Sequence, residues 1–156
     1  MNVFDRGLFS ERFAFKDWPN PQIPRVSAGV YAIWDASQLI YCGMSGRDIE
    51  RSIAQNKTKA GLVTRLHSHA SGRLSGDQFC VYVANRLVIP TIESHQLDQF
   101  RSGALTLDQL TKAYIHTHFD YQYALCETSR EAFSLEHRAR SGECFGQRPL
   151  LNPLQQ

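Results

Sequence analysis

Gly29-Val30-Tyr31-Ala32-Ile33-Trp34, the polar Asp35-Ala36-Ser37-Gln38, and Leu39-Ile40-Tyr41-Cys42-Gly43 form two β-rich runs around a turn. Branched and aromatic residues suit a pleated strand, and a short polar break between two such runs marks a hairpin. Each strand carries one tyrosine. Directly opposed residues of an antiparallel pair point to the same side. Tyr31 and Tyr41 therefore share a face if paired residue numbers sum to 72, or if a bulge shifts the phase, and otherwise diverge.

Before the hairpin, residues 1–28 mix Phe4, Phe9, Phe13, Phe15 and Trp18 with Pro19, Pro21 and Pro24. That composition predicts an irregular arm with one short helix, packed over the domain. After the hairpin, residues 46–60 are polar and aperiodic, whereas 61–70 place Leu62, Val63 and Leu66 at helical spacing on a short helix that also carries Arg65. Residues 79–84 read as a strand, 92–100 and 107–119 as helices parted by the breaker Gly103, and 121–126 as a further strand. Thr128-Ser129-Arg130-Glu131 has the form of a capping box, which predicts a helix from about 129 to 140, ended by Gly142 and Gly146. Two prolines, Pro149 and Pro153, keep the tail irregular. The fold class is α/β in the α+β sense, an antiparallel sheet with helices around it.

The 156 residues match one domain, with 1–28 as arm and 29–156 as body, and 42% hydrophobic with 21% charged residues belong to a soluble globular chain. Nowhere do eighteen apolar residues run together, so no membrane partner is expected, and with no signal-like opening the expected address is cytoplasmic. Cys42, Cys80, Cys126 and Cys144 stand singly, without the paired spacing of a zinc ligand set, and read as reduced, mostly buried thiols. The net charge is only +2, yet residues 44–75 hold Arg47, Arg51, Lys57, Lys59, Arg65 and Arg73 against Asp48 and Glu50. A charge polarised in this way gives one face an attraction for polyanions, although a merely solvated patch has the same composition.

Several residues can carry chemistry. Arg65 and His69 are four apart, on one face of a helix one turn from each other. A guanidinium binds two phosphate oxygens at once and stays charged through a reaction, which suits a pentacovalent phosphorane. Glu136 falls within the last helix, where a lone carboxylate can hold Mg²⁺ if phosphate and waters supply the other oxygens, or can simply pair with Arg140. Glu127, Glu131 and Glu143 are rival carboxylates.

Taken in order, Gly29-Val30-Tyr31, Tyr41-Cys42-Gly43, Arg65 with His69, Leu135-Glu136 and Leu151-Asn152-Pro153 resemble the successive motifs of the GIY-YIG nuclease family. The resemblance spans roughly residues 29–152, with Val and Cys in place of isoleucines, and Arg65-Leu66-His67-Ser68-His69 is similar to the homing and restriction branch. It implies a central three-stranded antiparallel sheet flanked by helices, with residues 79–119 as an additional strand-helix-helix insert serving DNA recognition, oligomer contacts or packing. It implies a Mg²⁺-dependent endonuclease, with Mn²⁺ as the substitute ion, that hydrolyses phosphodiester bonds in DNA.

In that scheme Tyr31 is the general base or its relay, Tyr41 and His69 position water or move the proton, and Arg65 holds the scissile phosphate. Glu136 ligates the metal, and Asn152 braces the site or touches DNA. Gly43, Ser45, Arg47, Lys57, Lys59 and Arg73 are the expected DNA contacts. A free phenol titrates near ~10, so Tyr31 needs a lowered pKa or a hydrogen-bonded proton acceptor. Arg47 and Arg51 are alternative bearers of the arginine role, and the separation of Gly46 to Ala60 exceeds that of the shortest family members. A homodimer would supply two sites for two strands. A catalytically silent nucleic-acid-binding module on the same fold and an unrelated interaction domain working through the aromatic arm are the competing readings.

Overall fold

A computed structural model describes residues 7–155. Phe4 of the expected arm lies outside that range. Strands β2 (Val26–Asp35) and β3 (Gln38–Ser45) form the hairpin, and β5 (Phe119–Cys126) pairs antiparallel along the other edge of β2. The short β1 (Phe13–Ala14) extends β5, giving the order β1-β5-β2-β3, while β4 (Ala60–Gly61) adds a two-residue parallel contact to the start of β2. Among the described residues six α-helices surround this antiparallel sheet: α1 (Ile49–Ala54), α2 (Leu62–Ser71), α3 (Gln78–Val83), α4 (Gln96–Ser102), α5 (Leu107–His118) and α6 (Ser129–Ser141). The architecture is α+β, and among the described residues no helix is long and apolar enough to cross a membrane.

Alternation along β2 builds two cores. Tyr31 and Ile33 face a larger cluster with Leu62 and Leu66 of α2, Phe79 and Val83 of α3, and Ile115 of α5. Val30, Ala32 and Trp34 face the opposite way, onto Ala132, Leu135 and Ala139 of α6. A central strand buried on both faces reads as a nearly continuous apolar run, which is why the hairpin stood out.

The arm is more deeply built in than its composition suggests. Phe15 is fully buried, the Phe13–Ala14 pairing widens the sheet, and Arg12 lies 3.9 Å over the Trp34 ring while Nη1 donates to the Ala36 carbonyl at 2.6 Å. The one short helix expected there is the 3₁₀ turn Phe15–Asp17.

Residues 79–84 are helical rather than extended, so the segment 79–119 carries α3, α4 and α5, with a π turn (Ala84–Val88) and a 3₁₀ turn (Ile89–Thr91) after α3, and no strand before β5. Asp77 caps α3 by accepting the Cys80 amide, and Phe79, Cys80, Val83, Ala84 and Val88 then fall on one buried helical face. A short run rich in aromatic and branched residues satisfies either period, and here the cap decides. α4 starts at Gln96 rather than near residue 92, and α1 occupies a stretch whose polarity hid it. Thr128 caps α6 through the Glu131 amide, but Glu131 returns its carboxylate to the Glu127 amide; the reciprocal box is Thr106 with Gln109, at the start of α5.

Candidate active site

The two tyrosines meet because of a bulge. At the turn, Asp35 pairs with Gln38 and Trp34 with Leu39, an odd register that would send Tyr31 and Tyr41 to opposite faces. Ile40 is then extra, and beyond it Ile33 pairs with Tyr41 and Tyr31 with Gly43. The sum becomes 74 rather than 72, again even, and the bulge supplies the change of phase. The rings stack at 6.3 Å between centroids and 21° between planes. Gly43 is needed beneath them, since a Cβ there would collide with the Tyr31 hydroxyl. Gly29 is needed for closeness too: a Cβ would strike the Ala124 carbonyl and the Leu62 side chain.

α2 brings His69 onto the same face. Its Nε2 lies 2.8 Å from the Tyr31 hydroxyl and its Nδ1 lies 2.7 Å from Oδ2 of Asp77, with the imidazole 2% exposed and both partners equally enclosed. Phe79 packs against His69 at 4.7 Å and against Tyr41 at 5.1 Å, forming the apolar floor of the site. Burial pushes the His69 pKa below its ordinary value, against the Asp77 hydrogen bond and charge. Burial acts to raise Asp77, but the hydrogen bond and charge of His69, then hydrogen bonds from Ser68 and the Cys80 amide, outweigh it and bring its pKa down to about 2. At neutral pH the pair is a neutral imidazole beside a carboxylate. Nδ1 therefore carries the hydrogen, and Nε2 accepts from the phenol.

Tyr31 does not have the lowered pKa that a free phenolate base would need. Burial, then the proximity of Tyr41, raise it well above the ordinary value, with Asp77 and Glu136 adding to the rise and Arg65 opposing it. Tyr41 is raised to about 12 by burial and by the charges of Asp77 and Glu136. The resting phenols are neutral, and Tyr31 is hydrogen-bonded to a base.

Arg65, exposed one turn before His69, opens the site to solvent. It lines a polar groove with Ser45, Gly46, Arg47, Asp48, Ser52 and Lys57, so three of the six cations of the basic segment share one groove with a single acid. Glu136 sits on α6, which packs on the face of the sheet opposite the two tyrosines, and it meets the site through its charge, which acts on both phenols. The carboxylate is 15% exposed and its pairing with Arg140 is long, at 3.9 Å. Burial raises its pKa, with Arg140, Arg47 and His137 opposing. An oxygen donor in a half-enclosed position, held by one loose ion pair, has lone pairs free for a hard cation, so Glu136 fits a Mg²⁺ ligand.

Asn152 is committed to the backbone. Its Oδ1 accepts the Cys42 amide at 3.1 Å and its Nδ2 donates to the Cys42 carbonyl at 2.5 Å, next to Tyr41. The Leu150 and Leu151 amides donate to the Leu39 and Ile40 carbonyls, so the tail runs along β3 and its last side chain imitates a peptide.

Among the remaining expected contacts, Gly43 lies covered by Tyr31, and Lys59 and Arg73 are exposed but do not line the groove. Arg51 also stays outside it, while Arg47 shares it with Arg65. Two of the three rival acids are engaged elsewhere, Glu131 with the Glu127 amide and Glu143 with Arg138. Asp77 was not singled out in the sequence. An acid directly before an apolar run, eight residues after His69, is the signal that points to it. His69, Asp77 and Cys80 also lie within 4.8 Å of one another, a spacing open to a metal ion, but their polar atoms are already spent on each other and on the backbone.

Comparisons with protein families, with characterised proteins and with solved structures return no match.

Proposed function

We propose that this chain is a metal-dependent endonuclease of the GIY-YIG type, hydrolysing phosphodiester bonds in DNA. The observation that carries the reading is convergence. Tyr31, Tyr41 and His69, from three elements, are in ring or hydrogen-bond contact, the charge of Arg65 acts on Tyr31, and that of Glu136 acts on both phenols. Tyr31, Tyr41 and His69 lie far apart along the chain in the order of the motifs, and the fold brings them into contact on one face, with Arg65 of the same helix lining a basic groove.

Arg65 binds non-bridging phosphate oxygens and stabilises the charge that grows as water adds to phosphorus. Tyr31 accepts a proton from that water while its own proton passes to Nε2 of His69, and Tyr41 holds the Tyr31 ring in place. The bond to the leaving oxygen breaks, and that oxygen takes up a proton from solvent. Glu136 is the residue that would hold Mg²⁺ or Mn²⁺, whose contribution when bound is neutralisation of charge on the phosphate and leaving oxygen. Arg47 and Lys57 extend the phosphate track without reading bases.

Supercoiled plasmid with Mg²⁺ tests the reading. Cutting is expected to stop with chelator and in Glu136→Ala, and Arg65→Ala is expected to lose about 10²-fold or more in rate. Cutting that ignores both chelator and Glu136→Ala would remove the metal assignment. DNA binding with no cutting under any divalent ion would mark the silent binding module instead.

A further inference from the structure

We propose that Asp77 is a positioning residue of the reaction, fixing the His69 ring so that its unprotonated nitrogen faces Tyr31. The inference rests on the nuclease reading and adds a residue outside the motifs that suggested it.

Three buried groups stand in a chain, Asp77 Oδ2 to His69 Nδ1 at 2.7 Å and His69 Nε2 to the Tyr31 hydroxyl at 2.8 Å. Their order sets the direction of proton flow. A carboxylate can only accept, so it fixes the hydrogen on Nδ1 and leaves a lone pair at Nε2. With the opposite tautomer, Nε2 would donate to the phenol and the path for the Tyr31 proton would be closed. The carboxylate is itself held by three donors: Cys80 N–H on Oδ1, and the Ser68 hydroxyl and His69 on Oδ2. When a water proton moves to Tyr31 and the Tyr31 proton moves to His69, the imidazolium formed has its counter-charge already in contact. His69 later returns that proton along the same path to solvent. The other groups around His69 do not compete for this task. Tyr41 and Phe79 meet it through their rings, Arg65 is a cation, and the Cys80 thiol donates to the His69 carbonyl.

Asp77→Asn is the informative change because the fold dictates how the amide must sit. The Cys80 amide keeps its acceptor only if the Asn oxygen occupies the Oδ1 position, which aims the NH₂ group at Nδ1 of His69. Nδ1 must then accept, and the hydrogen moves to Nε2. The expected result is a kcat reduced between about 10²- and 10⁴-fold with KM changed less than threefold, as for the wrong tautomer of a histidine relay. The pH–rate profile of the variant is expected to keep rising where the wild type has levelled, because hydroxide replaces the relay.

Nitrogen NMR of histidine-labelled protein reads the tautomer directly and needs no variant. Wild-type His69 is expected to carry hydrogen on Nδ1, and the variant on Nε2. A cutting wild type with hydrogen on Nε2, or an Asp77→Asn enzyme within tenfold of wild-type kcat, would overturn the positioning role alone. A wild type that never cuts overturns the nuclease reading, and this role falls with it.

Discussion

The phenols of the site are stored protonated in a dry pocket. Folding raises the pKa of Tyr41 and of Tyr121 to about 12, in each case first through burial, and that of Tyr31 well above its usual value. The folded chain thus holds these protons more tightly than the unfolded chain. Stability is complete below about 10 and drains away as the pH climbs toward 12. Phenolate absorbance in an alkaline titration is expected to show these tyrosines ionising together with unfolding, and their ionisation in a folded protein near the ordinary value would contradict the buried arrangement. At this scale the sequence marked Tyr31, Tyr41, Arg65, His69 and Glu136 through the order of their motifs. It could not mark Asp77, because a cap residue on a short helix looks the same whether or not its second oxygen finds a histidine.

Elements were legible where one period dominated. The hairpin has β-rich apolar runs around a polar turn, and α2, α5 and α6 have helical spacing or caps. Phe79 to Ala84 did not, since branched and aromatic residues that pack against a neighbour suit either a buried strand or a buried helix turn. α3 matters because Phe79 is the floor under His69 and Tyr41. Phe79→Ala is expected to cost about 3–5 kcal/mol of unfolding free energy, measured in denaturant, and to lower activity further by freeing the His69 ring. A loss below 1 kcal/mol would show that the floor is not packed as described. α1 went unseen because its only buried residues are Ile49 and Ser52, too few to print a period.

For the molecule as a whole, a near-neutral chain brings three of its seventeen lysines and arginines into one groove. Arg47, Lys57 and Arg65 line it, whereas Lys59 and Arg73 point elsewhere. If phosphates follow the groove, Lys57→Ala is expected to lower the slope of log binding constant against log salt by about one on duplex DNA. Lys59→Ala and Arg73→Ala should leave that slope nearly unchanged in the same titration. Equal effects from all five positions would mean diffuse attraction and no track. Basic composition identified the segment, but only the turn from β3 through α1 to α2 sorts its cations into those that meet and those that do not.

The extra residue at Ile40 also limits how such a hairpin can drift. Were the bulge ironed out with Ile40 kept, Ile40 would pair with Ile33 and Tyr41 with Ala32, a tidy, uniformly paired ribbon in which Tyr41 had rotated away from Tyr31 to lie under α6. A change of length between the two tyrosines is therefore harmless where the residue gained or lost is unpaired, at the turn or at the bulge itself, and turns one ring away from the other where it falls inside the paired run.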